Sequence, residues 1–205
     1  MCLGGALSLC GRSVTVEEVA ELLLEDDSFY QNSGGGVTLS GGECLCQADF
    51  CAELLKKMKE NGIHTAVDTC GYVERSSFDK VIPYTDIFLY DIKHMDAFEH
   101  ERLTGVSNLR ILENLKYLDS REKPIEIRIP FIKGCNDGMT ESAAEFISGL
   151  KNVSAVRLLA YNNLAGSKYD MIGKENTMPK SQPPTQEELR VAAAVYESKG
   201  IRVII

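Results

Sequence analysis

Residues Val37–Glu43 read Val-Thr-Leu-Ser-Gly-Gly-Glu, which places two adjacent glycines and a carboxylate directly after a strand-like run. Two glycines at a strand end let the backbone approach a ligand closely and expose N–H groups that side chains would otherwise shield. Bare amides, carbonyls and one acid suit a zwitterion such as an amino acid. The Lys-Ser/Thr ending of a phosphate-binding loop is missing. Polar clusters recur after later runs: Asp68-Thr69, then Asp91-Ile92-Lys93, then Arg128 with Lys133–Asp137 beyond it, and Tyr161-Asn162-Asn163. Each one alone reads as a turn cap, a surface ion pair or a solvated edge residue. Together they offer acids for an ammonium, cations for a carboxylate and glycine amides for close approach, which is chemistry for holding an amino-acid-like group.

Something must bring five such clusters together. The chain alternates strand-like and helical segments. Runs rich in Val, Ile, Leu and aromatics fall near Val37–Leu39, His64–Asp68, Ile87–Asp91, Ile125–Phe131, Ala155–Tyr161 and Arg202–Ile205. They are mostly continuous rather than alternating, as parallel strands covered by helices should be. A first helix is predicted over Val16–Glu25, with Thr15 as cap and Glu18 closing a capping box. Further helices are predicted near Ala48–Asn61, Ser76–Val81, Leu109–Asp119, Thr140–Leu150 and Thr185–Ser198, with Gly62 and Gly200 as left-handed caps. The alternation implies a parallel sheet with right-handed crossovers, either an open doubly wound sheet or a (β/α) barrel, complete or partial. Ligands bind at the carboxyl ends of strands in both. Five polar strand ends fit the mouth of a barrel more economically. Gly166–Pro184 is predicted to be a surface loop.

Composition narrows the function classes. The 205 residues are 44% hydrophobic and 25% charged, with a net charge of −8, ordinary for one globular domain and unsuited to a nucleic-acid backbone. No apolar run approaches a membrane span and Met1–Cys10 lacks the pattern of a signal peptide, so the chain reads as cytoplasmic, with no membrane partner. Seven cysteines in such a chain read as reduced thiols. Cys44, Cys46, Cys51, Cys70 and Cys135 each pass for a small buried hydrophobe, and Cys44-x-Cys46-x4-Cys51 lacks the spacing of a zinc site. Cys46 and Cys51 are expected at the start of a helix, facing its sheet.

The segments 37–43, His-Thr-Ala-Val-Asp-Thr at 64–69, Asp-Ile-Lys at 91–93, Arg-Ile-Pro at 128–130 and Leu-Leu-Ala-Tyr-Asn at 158–162 resemble the glycyl-radical-enzyme activating enzymes. These belong to the radical S-adenosylmethionine (SAM) superfamily, and pyruvate formate-lyase activating enzyme typifies them. The resemblance runs over nearly the whole chain, in order. It implies an α/β fold, a partial (β/α)6 TIM-like barrel, here lacking the first strand. It implies that Ser40, Gly41, Gly42 and Glu43 meet the SAM amino group, and that Asp68 and Thr69, with Asp91, line the methionyl and monovalent-cation region. Lys93, Arg128 and Asn162 are then left for the carboxylate or ribose. The cation ligands implied are Asp68 and Asp91.

The sequence departs from the family pattern in three places. Cys44 stands where proline usually follows Gly-Gly-Glu, and Asn162 where the best-known member has histidine. The Cys-x3-Cys-x2-Cys that ligates three irons of a [4Fe–4S] cluster occurs nowhere in the chain. The segment Cys2–Leu7 looks like the last cysteine segment of a ferredoxin-like insert, so residues 1–14 are expected to be its remnant and 15–205 the barrel domain. The resemblance implies that the complete enzyme cleaves SAM to a 5′-deoxyadenosyl radical and generates a glycyl radical on a pyruvate formate-lyase-like partner, using a flavodoxin or ferredoxin-type electron donor. This chain keeps the positioning groups without the cluster ligands and is expected to be inactive alone. Two other readings stay open: a Schiff-base aldolase barrel with Lys93 as nucleophile, and a non-catalytic SAM- or peptide-binding remnant. A carboxylate such as Asp91 beside Lys93 would tend to keep that amine protonated, which disfavours the aldolase.

Overall fold

A computed structural model describes residues 11–162, 173, 175 and 182–205. The capping box predicted at Thr15 forms: its hydroxyl accepts from the Glu18 amide, and Glu18 accepts from the Thr15 amide at 2.7 Å. It opens helix α1 (Val16–Leu24), and a short helix α2 (Asp27–Ser33) follows. From there strands and helices alternate: β1 (Gly36–Leu39), α3 (Ala48–Glu60), β2 (His64–Thr69), α4 (Arg75–Val81), β3 (Ile87–Asp91), α5 (Ala97–Thr104), α6 (Leu109–Ser120), β4 (Ile125–Phe131), α7 (Thr140–Ser148), β5 (Val153–Ala160), α8 (Gln186–Ser198) and β6 (Val203–Ile204). Gly62 and Gly200 take the predicted left-handed conformation, with φ of 73° and 77°. The Gly62 amide bonds Lys59 O just past α3, and the Gly200 amide bonds Glu197 O just past α8.

The six strands among the described residues are all parallel and lie in sequence order from β1 to β6, so within those residues the sheet does not close. Of the two architectures open to the sequence, this is the wall of a partial barrel. Helices cover one face. Val67, Phe88, Tyr90, Ile125, Ile127 and Val156 are fully buried there, with Leu55, Phe78, Val81, Leu115, Leu118, Ala143 and Ala144 from the helices. Truncating Phe88 to Ala would leave a cavity worth about 3–5 kcal/mol. Under β1 a second cluster joins Val16 and Ala20 of α1 to Val37, Leu54, Met58 and Ile63.

The structure corrects some expectations. β4 alternates strictly between buried and half-buried residues rather than running continuously buried. Its half-buried set includes Glu126 and Arg128, because the other face of an open sheet carries the polar interior. Helices α2 and α5 were not predicted. Residues 1–10 of the expected insert remnant 1–14, and most of the predicted loop Gly166–Pro184, lie outside the described residues. No helix among the described residues is long and apolar enough to cross a membrane.

Candidate functional site

Period-two alternation puts Asp68 of β2, Leu89 and Asp91 of β3, and Glu126 and Arg128 of β4 on one face. The register pairs Asp68 with Leu89 and Asp91 with Arg128. Arg128 reaches across β3, and its Nη1 lies 2.7 Å from Asp68 Oδ2, with both side chains only 20–25% exposed. The same Oδ2 accepts the Ser40 hydroxyl at 2.9 Å. One carboxylate thus ties the ends of β1, β2 and β4. Lys93, just beyond β3, sits 3.8 Å from Asp91. Burial pushes the Asp91 carboxyl above the usual range; Lys93 and Arg128 pull it down, while Asp68 and Glu43 push it up.

The loop after β1 is braced by Glu43. Its carboxylate accepts from the Thr69 hydroxyl at 2.9 Å to both oxygens, from the Cys70 amide at 2.9 Å and from the Leu45 amide at 3.1 Å. The carboxylate is therefore engaged within the protein. Gly41 and Gly42 are exposed, and a Cβ built on either meets nothing within 4 Å, so their backbone faces open space. Gly41, with φ of 129°, occupies a region that disfavours side chains.

The structure brings Ser40, Asp68, Asp91, Lys93 and Arg128 to one mouth, with Gly41 and Gly42 at its β1 side. Thr69 is buried and turned toward Glu43 rather than toward the open face. Asn162 follows the end of β5, two residues past Ala160. Cys46 corrects its expectation: it is exposed on a 3-10 turn, whereas Cys51 is buried as expected. Among the described residues no three His, Cys, Asp or Glu side chains converge as a metal requires. Lys93, with its side chain 41% exposed and ion-paired, is not a desolvated amine of the kind a Schiff-base nucleophile needs.

Several supporting contacts escaped the sequence. The buried Asn136 donates to Lys93 O at 3.0 Å and Pro130 O at 2.5 Å, and accepts from Ile132 N, so it fixes the β3 and β4 ends together. Asn114 donates to Gly71 O and Val73 O, both at 2.9 Å. Gly71, with φ of 75°, lies so close under Tyr90 that an added Cβ would stand 1.8 Å from its hydroxyl, which itself donates to Ile111 O. The Cys70 thiol is pushed up by burial, with Glu43 adding to the shift and Lys93 opposing it. Asn114 and the Gly71–Tyr90 contact have no local signal, since their partners are distant in sequence; Asn136 bonds Ile132 and Pro130 nearby, and only its bond to Lys93 is distant.

A family model described as the radical SAM superfamily matches residues 5–147. The choline trimethylamine-lyase activating enzyme of Oleidesulfovibrio alaskensis is 40% identical over 176 residues, 83% of this chain and 56% of that protein. The trans-4-hydroxy-L-proline dehydratase activating enzyme of Clostridioides difficile is 38% identical over 207 residues, covering 99% of this chain and 68% of its own length. A crystal structure of a domain of pyruvate-formate lyase-activating enzyme from Bacteroides vulgatus superposes with a TM-score of 0.71 at 30% identity, over 83% of this chain and 98% of that one. The chain thus spans little more than half the length of the first of these relatives. On the matched motifs, the parallel sheet and the composition of its mouth, the chain belongs to the radical SAM superfamily, among the glycyl-radical-enzyme activating enzymes.

Proposed function

We propose that the strand-end mouth binds SAM and that the protein of which these residues are the barrel activates a glycyl radical enzyme of the pyruvate formate-lyase type. The observation that carries the binding site is the open, side-chain-free backbone of Gly41 and Gly42 beside two carboxylate–cation pairs, Asp68–Arg128 and Asp91–Lys93. That donor set fits the α-amino and carboxylate ends of SAM. The superfamily's radical chemistry comes from SAM together with a [4Fe–4S] cluster.

In this reading the backbone of Gly41–Gly42 meets the ammonium. Glu43 and Thr69 hold that loop against the end of β2. Lys93 and Arg128 face the carboxylate or ribose, with Asn162 beside them at the β5 end, and Ser40 orients Asp68. Asp68 and Asp91 are the proposed carboxylates for a monovalent cation. The partner enzyme and a flavodoxin or ferredoxin-type electron donor are part of the same proposal, as is a barrel domain over 15–205.

No cluster step is assigned to these residues. Cys-x3-Cys-x2-Cys is absent from the chain and no cysteine trio converges among the described residues, so the chain alone is proposed to bind without generating a radical. Anaerobic reconstitution with iron and sulfide should then yield no SAM-responsive EPR signal, and such a signal would overturn that point. Calorimetric titration with SAM tests the site itself. Without an iron anchor the affinity should be weak, and Asp68→Ala, which removes the acceptor for both Ser40 and Arg128, should weaken it further. Submicromolar binding indifferent to Asp68→Ala would place the site elsewhere.

A further inference from the structure

Cys44 and Cys51 take no part in the site described above. Cys44 follows Glu43 in the β1–α3 loop and Cys51 lies in the first turn of α3. The Cys51 thiol donates to the Cys44 carbonyl at 3.2 Å, which sets its sulfur against the Cys44 residue. The Cys44 sulfur also approaches Leu39 O at 3.6 Å and Asp68 O at 3.5 Å, at the ends of β1 and β2. Both cysteines line a cavity of about 340 Å³ bounded by Leu23, Val37, Phe50 and Leu54. A reagent as small as a peroxide reaches the otherwise buried Cys51 through that space.

We propose that Cys44 and Cys51 are a reversible oxidation site that closes to a disulfide under a peroxide. The Cys51 thiolate attacks one peroxide oxygen, which breaks the O–O bond, makes a sulfenic acid and releases water after protonation. The Cys44 sulfur then displaces the second water and forms the S–S bond. Two thiols are oxidised, one hydrogen peroxide is reduced, and two waters leave. The disulfide removes the S–H that Cys44 directs at Leu39 O and Asp68 O, so the Gly41–Glu43 loop loses its sulfur tie to the ends of β1 and β2. This inference does not depend on the proposed SAM site.

The test uses the reduced, folded full chain and a stoichiometric pulse of hydrogen peroxide. Free thiols are then blocked with N-ethylmaleimide and the digest is analysed by mass spectrometry. Cys44 and Cys51 should escape blocking together, joined by a bond that dithiothreitol reverses, while the exposed Cys46 is blocked. The link should persist in Cys46→Ser and vanish in Cys44→Ser and in Cys51→Ser. In urea the three possible pairs among Cys44, Cys46 and Cys51 should appear mixed, which shows that the fold selects the pair. A folded chain in which Cys46 oxidises while Cys44 and Cys51 stay alkylatable, or in which the link runs through Cys46, overturns the proposal.

Discussion

Glu43→Ala separates a structural role for this carboxylate from a ligand-binding one, because the loss it causes should be visible with no ligand added. The side chain accepts from Leu45 N, Cys70 N and Thr69 Oγ1, and Thr69 is 2% exposed. Hydrogen bonds to a charged group are worth about 1.5–3 kcal/mol each. Glu43 itself is half-buried, so water replaces part of the loss at the Leu45 and Cys70 amides. The Thr69 hydroxyl also accepts from the Gly71 amide and has to find a new acceptor for its own proton. Taking the lower end of the range for each partner and discounting for hydration gives about 3 kcal/mol for Glu43→Ala. Glu43→Gln keeps one acceptor oxygen and turns an amide NH2 toward the remaining donor, so its cost should fall between wild type and Ala. Urea unfolding of the chain without SAM, read by circular dichroism, gives both numbers. A Glu43→Ala loss below about 0.5 kcal/mol, within the range of ordinary surface substitutions, would refute the brace and return the carboxylate to a ligand-facing role.

Asp86 accepts from Lys59 Nζ at 2.7 Å and from the amide of the buried Thr65 at 2.8 Å, while the Thr65 hydroxyl keeps Tyr84 O as an acceptor at 2.6 Å, so Asp86→Ala should cost about 1–3 kcal/mol, chiefly by orphaning that amide. Burial pushes its carboxyl up, but the Lys59 and Thr65 bonds outweigh that and hold it below the ordinary value. The stabilisation is therefore complete above the unfolded-chain pKa of about 3.9 and fades as pH falls through the lower folded value. Urea midpoints of wild type and Asp86→Asn should converge over that acid window, and a gap that persists unchanged to the acid limit would contradict the assignment. Gly71→Ala combines a left-handed backbone with a Cβ placed 1.8 Å from the Tyr90 hydroxyl, and should cost about 3–5 kcal/mol through strain and overpacking. A melting temperature within a degree of wild type would show that Tyr90 yields freely.

Much of the fold was legible because its signals are local. Six apolar runs gave six strands, Thr15 and Glu18 formed the capping box, and Gly62 and Gly200 formed left-handed caps. Helix α2 escaped because none of its residues is buried, and α5 because His100 alone is, so neither shows an apolar face. The alternation of β4 was missed because its half-buried set mixes Glu126 and Arg128 with Pro130, which reads as an apolar run interrupted by charge. At the site, residue types at strand ends were readable, but their partnerships were not. Asp68 and Arg128 lie far apart in sequence and meet only because β2 and β4 flank β3. The pairing of Glu43 with Thr69 and Cys70 is likewise a product of the β1–β2 register, and it divides the Gly-Gly-Glu motif into an open backbone and an anchoring side chain.

The most direct test of the strand-end SAM site is a backbone-amide chemical-shift map of the isotopically labelled chain titrated with SAM. The largest shifts should fall on Gly41 and Gly42, then on Cys70, Lys93 and the residues flanking Arg128, at the carboxyl ends of β1 to β4. Saturable shifts confined to the amino ends of the strands or to the helical face, with Gly41 and Gly42 unmoved, would contradict it.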